Sequence, residues 1–206
     1  IEDVKLILNT HVHFDHAGGI AELQKLSGAK VAASPSTTKV LTSGEAGNDD
    51  PQFGQLPKIP PVANVRVLKN GETLKVGVLA VTAHFTPGHT PGGTTWNWKS
   101  CENEKCVNVV YADSLNPISA KGYLYTDRKR NPNGAKQLQG SYAALNALPC
   151  DILLTPHPEF SSMMEKLAQR DNGAKSNPFV DANSCRAYVQ ASRDKLDKRI
   201  AEESAK

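Results

Sequence analysis

His11-Val12-His13-Phe14-Asp15-His16-Ala17-Gly18-Gly19 sets three of the chain's six histidines and an aspartate within six residues. Residues two apart in extended chain point to the same side, so His11 and His13 can grip one cation while Val12 and Phe14 face the core. Asp15 and His16 then turn away from that pair. Imidazole and carboxylate suit borderline ions such as zinc, and such a set leaves a position open for water. The alternatives are a surface loop that happens to be rich in histidine, or core histidines satisfied by backbone carbonyls. Neither accounts for half of the histidines falling on one turn.

Working outward, residues 4–9 form an apolar run of strand length that delivers the chain to His11. Beyond the cluster, Ile20, Leu23 and Leu26 recur at helical spacing, and Gly28 sits where a helix stops. The motif therefore lies where a strand hands over to a helix. Residues 30–33 read as the next strand, Ser34-Pro35 as an N-cap followed by proline at the first helical position, and Gly44 as that helix's end. Residues 45–61, rich in proline and without periodicity, read as a surface loop bordering a site. Asn70-Gly71 between runs 65–69 and 72–76 predicts a β-hairpin, and strands follow at 78–82, 94–99 and 107–112. Leu138, Tyr142 and Leu145 mark a helix, 151–155 a buried strand, and Cys185, Val189, Leu196 and Ile200 the stripe of a final helix. Strands with interspersed helices on either side of Asn70-Gly71 fit two sheets packed face to face with helices outside. That is a four-layer αββα sandwich of the α/β class, with residues 1–206 as a single domain.

Composition narrows the function classes. The 39% hydrophobic content can fill an ordinary core, and no apolar run approaches the roughly 20 residues a membrane span needs. Lys plus Arg number 24 against 21 Asp plus Glu, and aromatics are 6%, so neither a basic stripe nor a stacking platform for nucleic acid is present. The four cysteines lack any CxxC motif and read as two disulfides, with four reduced cysteines as the alternative. Cys101 and Cys106 bracket a hairpin turn, while Cys150 and Cys185 would pin a buried strand to the last helix. Oxidised cysteines place the protein outside the cytosol, periplasmic or secreted.

The remaining histidines divide by context. His89 lies in a rigid turn, Thr86-Pro87-Gly88-His89-Thr90-Pro91-Gly92-Gly93, and His157 follows Leu153-Leu154-Thr155-Pro156 at the end of a buried strand, both fair places for a ligand. His84 lies inside a strand-like run, where a structural role is expected. Taken with Ala112-Asp113-Ser114-Leu115 and Leu154-Thr155-Pro156-His157-Pro158, these motifs resemble the metallo-β-lactamase superfamily across essentially the whole chain. Ser114 where other subclasses place a cysteine ligand is similar to true metallo-β-lactamases of the third subclass.

The resemblance implies that His11, His13 and His89 hold one zinc ion, and Asp15, His16 and His157 a second. It implies that Asp15 also serves catalysis by orienting the attacking hydroxide, and that Ser114 and Asn116 bind the substrate carboxylate. A small β-lactam is the implied partner, and a monomer the implied assembly. The Cys150–Cys185 bridge looks like one the subclass carries, and Cys101–Cys106 resembles one found in some members. The family places further strands upstream of the histidine motif, so the first lobe is expected to be truncated. A second reading keeps the two-metal site for another ester, thioester or lactone with Asp113 bridging the metals. A third treats the chain as an inactive metal-binding remnant. No Gly-x-Ser-x-Gly elbow occurs, which argues against serine-based hydrolysis.

Overall fold

The computed structural model describes residues 1–205. Two sheets stack face to face. The first is parallel, ordered β1 (Leu6–Ile7), β2 (Lys30–Ala33), β3 (Arg66–Val67). The second contains β4 (Thr73–Val76), β5 (Leu79–Phe85), β6 (Thr94–Glu102) and β7 (Lys105–Tyr111) in antiparallel order, with β8 (Ile152–Leu154) parallel to β7. The helices are α1 (Phe14–Ala17), α2 (Ile20–Ser27), α3 (Pro35–Ser43), α4 (Gly134–Asn146), α5 (Met163–Asp171) and α6 (Ser184–Ser204), with a 3-10 turn at Pro158–Ser161. No helix among the described residues is long and apolar enough to cross a membrane.

Three apolar clusters fill the three gaps between four layers. Ala17, Ile20, Val31, Ala33 and Leu41 join α1, α2 and α3 to the first sheet. Ala32, Leu68, Leu74, Ala83 and Trp96 fill the space between the sheets. Val110, Leu138, Tyr142, Leu145, Leu153, Val189 and Leu196 seat α4 and α6 on the second. Alternation in β2 sends Ala32 to one face and Val31 and Ala33 to the other, as a strand buried on both sides requires. The helix marked by Leu138, Tyr142 and Leu145 and the final helical stripe therefore stand as read.

Local punctuation explains the element ends. Gly28 and Gly44 close α2 and α3 in the left-handed conformation. Ser34 caps α3 by accepting the Thr37 N–H at 3.3 Å, with Pro35 at the first position. Residues 45–61 contain neither helix nor strand.

Two expectations fail. Asn70-Gly71 does not turn a hairpin: β3 pairs with β2 in one sheet, whereas β4 pairs with β5 in the other. The turn therefore carries the chain between sheets. Gly71 still supplies its positive φ of 79°, and the true hairpin lies at Gly77-Val78, between Val76 and its partner Leu79. A two-residue loop fixes a reversal of direction, but only burial decides which strand lies alongside. Phe14 is the second failure, because it is 50% exposed rather than in the core. Helix α1 begins at Phe14, so strand alternation ends with His13.

Both disulfides form. Cys101 and Cys106 face each other across β6 and β7, and Cys150 joins the entry of β8 to Cys185 on α6. Replacing both Cys150 and Cys185 by serine is expected to cost about 3–4 kcal/mol of unfolding free energy on the chain-entropy account, and the Cys101/Cys106 pair, closing a much shorter loop, less. Urea midpoints of the two double variants test that order, and equal losses would contradict it.

Candidate metal centre

Each histidine of the first triad arrives on a different constraint. His11 follows β1, where the Thr94 N–H donates to the Thr10 carbonyl at 2.8 Å and the Trp96 indole to the Asn9 carbonyl at 2.9 Å. His13 is the extended N-cap of α1, whose single turn swings Asp15 and His16 away from it. His89 rides a turn held by the Gly92 carbonyl, which accepts hydroxyls from Ser34, Thr37 and Thr94 at 2.7, 2.9 and 3.0 Å. Gly88 permits that turn: its φ is 136°, and a Cβ there would lie 2.6 Å from Leu138.

The three rings converge. Centroids of His11, His13 and His89 are 4.8, 4.9 and 4.9 Å apart, a near-equilateral triangle that is wholly buried. Asp15, His16 and His157 gather beside it, with Asp15 Oδ2 3.1 Å from His16 Nε2 and 3.5 Å from His157 Nε2. The two imidazole Nε2 atoms stand 3.2 Å apart. The His16 ring lies 4.3 Å from the His11 ring, so the two groups adjoin. Within each triad the ligand atoms lie within 4.8 Å of one another.

Hydrogen bonds behind the rings settle which nitrogens are free. The Asn116 carbonyl, an acceptor only, lies 2.9 Å from His89 Nδ1, so that nitrogen carries the proton and Nε2 keeps its lone pair. His11 Nδ1 faces Asp113 Oδ1 at 2.8 Å, and that carboxylate also takes the Ser114 backbone N–H. His11 Nε2 is thus the free atom, and it is buried with no hydrogen-bond partner. An orphaned buried acceptor in a ring of imidazoles is what a divalent cation satisfies, so the residues fit a metal. Burial, then the neighbouring histidines, holds the His11 imidazole well below its usual pKa, and the same two causes lower His89 to about 4. Burial also lowers His16 and pushes the Asp113 carboxyl up. Burial therefore keeps the His11 and His89 imidazoles neutral near pH 7, ready to ligate.

The other sequence candidates fall as follows. Ser114 and Asn116 lie buried on the turn after β7 that carries Asp113. Asn116 Oδ1 accepts from the Lys195 ammonium at 2.7 Å. His84 binds Asn97 Oδ1 through Nε2 at 2.8 Å within the sheet, the structural role expected of it. Three supports escaped the sequence. Asp50, in the 45–61 loop, is buried beside His13, and Tyr188 on α6 clamps the Asp113 turn by donating to the Asp113 carbonyl and accepting the Leu115 N–H, both at 3.0 Å. Lys195 is the third. None of them has a local motif; only tertiary packing brings them in. Gly93 is a further support, because a Cβ there would sit 2.1 Å from Asp113 Oδ2.

Comparisons with known proteins point to one superfamily. The family model described as the metallo-beta-lactamase superfamily matches residues 1–100. MEM-A1, a subclass B3 metallo-beta-lactamase from a soil metagenome library, is 48% identical with a TM-score of 0.94, covering 99% of this chain and 77% of that one. Rm3 metallo-beta-lactamase is 50% identical with a TM-score of 0.95, covering 98% and 75%. A hydroxyacylglutathione hydrolase of Hyphomonas neptunium is 31% identical over 85% of this chain, which spans 62% of that relative's length.

A pH dependence follows for the protein stripped of metal. His89 takes up its proton near pH 6.5 when unfolded and at about 4 when folded, so above 6.5 it leaves stability unaffected. Between those values the unfolded chain binds the extra proton, and stability falls with pH by about 3 kcal/mol for this residue. Urea unfolding of chelated wild type and a His89→Leu variant across that window checks it: the variant is expected to show the shallower fall, and identical slopes would contradict it.

Proposed function

The chain belongs to the metallo-β-lactamase superfamily, and we propose that it is a zinc-dependent hydrolase opening the β-lactam ring of penicillins, cephalosporins and carbapenems, and so conferring resistance to them. The observation that carries this reading is the pair of adjoining His/Asp triads, with the His11 Nε2 buried and unpaired among the imidazoles. His11, His13 and His89 would hold one zinc ion, and Asp15, His16 and His157 the other. Two such ions supply an acidified water and Lewis acidity towards a carbonyl and its leaving nitrogen.

The chain's own groups do the rest. Asp15, 58% exposed, presents its carboxylate at the open side of the second triad, where it accepts a hydrogen bond from the attacking water and orients it. Asp113 fixes the tautomer of His11, and the Asn116 carbonyl that of His89. Ser114 and Asn116 receive the substrate's carboxylate, on the same turn that holds His89. All six candidate ligands come from this one chain, which supports residues 1–206 acting as a single domain and as a monomer. Two disulfides support a periplasmic or secreted location.

A second reading, hydrolysis of a thioester or other ester with Asp113 bridging the metals, draws on the hydroxyacylglutathione hydrolase relative. Asp113 favours the first reading, because its carboxylate meets His11 at Nδ1, on the far side of the ring from the free Nε2.

Turnover of a penicillin, a cephalosporin and a carbapenem, measured against added zinc after chelation, tests the proposal. Activity is expected to vanish on chelation and to return with two zinc ions per chain; a chelator without effect would refute it. Full zinc content with no lactam turnover would favour a binding remnant instead. Asp113→Asn is expected to weaken zinc about 10–100-fold while two ions still bind. Loss of one ion outright in that variant would transfer support to the bridging reading.

A further inference from the structure

His11 and His89 each have a partner behind the ring, a carboxylate and a backbone carbonyl. His13 has no such partner within hydrogen-bond range on its Nε2, which is buried and unpaired. One other orphan lies beside it. Asp50 is 2% exposed, its Oδ1 accepts the Gln52 N–H at 2.8 Å, and its Oδ2 is buried without a partner. The two orphans stand 3.5 Å apart.

Leaving a carboxyl oxygen and an imidazole nitrogen both unpaired in the interior costs about 1–3 kcal/mol for each. A movement of roughly half an ångström brings them into hydrogen-bond range and satisfies both. The charge balance points the same way. Three neutral imidazoles around a buried divalent cation leave its charge uncompensated, and the two fully buried carboxylates against this triad are Asp113 behind His11 and Asp50 behind His13.

We propose that Asp50 is a positioning residue for the metal centre: its Oδ2 accepts the His13 Nε2–H, fixes that ring's tautomer, and ties the 45–61 loop to the first triad. The inference rests on the metal-centre reading above. Nδ1 of His13, which faces the Gln52 side-chain amide at 3.5 Å, is then the atom left for the cation. The Pro51 carbonyl, next in the chain, accepts the Ala120 N–H at 2.8 Å, so the same loop is also tied to the segment after β7. Ligation of His13 and the seating of this loop become one event.

Asp50→Asn keeps the shape and the Oδ1 acceptor while removing the charge. Zinc affinity by chelator competition is expected to fall about 10–100-fold in this variant. In 15N-edited spectra of zinc-loaded wild type, the His13 Nε2–H is expected as a slowly exchanging, downfield resonance that moves upfield or disappears in Asp50→Asn. Asp50→Glu, which retains the charge, should recover part of the affinity. Affinity within about twofold of wild type in Asp50→Asn, or an unaltered His13 resonance, would overturn the proposal, as would a loss confined to thermal stability. These readouts need no lactam turnover, so they stand apart from the substrate assay. A wild-type chain that binds no zinc would overturn both the metal centre and this role.

Discussion

Imidazoles packed to exclusion of water must stay neutral, and each must keep a lone pair aimed at the same point. Much of the architecture around the first triad serves that requirement. Burial suppresses protonation of His11 and His89, and fixed acceptors behind the rings decide which nitrogen keeps its proton. Those acceptors are themselves held from a distance. Tyr188 and Tyr142, on separate helices, bond the backbone of the Asp113–Asn116 turn, and the Thr95 hydroxyl accepts the Asp113 N–H at 3.1 Å. Stability of the outer layers and readiness of the metal centre are therefore linked through one turn.

The two triads differ in exposure, and the difference suits different tasks. The first is sealed, so its geometry is set by packing. The second is open at Asp15 and His157, whose side chains are 58% and 41% exposed, so it faces solvent. Both rest on one short helical turn, because α1 separates His13 from Asp15 and His16.

Much of this was legible in the sequence. The histidine cluster, the Gly28 and Gly44 stops, the Ser34 cap and the helical stripes are local signals, and local chemistry wrote them. The bland role of His84 was also readable, from its place inside a strand. Asn70-Gly71 misled because turn chemistry specifies a reversal and not a partner strand. Phe14 misled because alternation holds only while the chain is extended. Asp50 gave no signal, since Asn48-Asp49-Asp50-Pro51 reads as an ordinary solvated turn until the fold buries its third residue. Supports contributed by distant segments are legible only in three dimensions.

Anomalous diffraction at the zinc edge, on crystals grown with the metal, addresses the central claim most directly. The account predicts two peaks about 3.5–4 Å apart, one inside the His11, His13 and His89 triangle and one among Asp15, His16 and His157. An empty triangle after soaking, or two peaks with Asp113 coordinated between them, would contradict it.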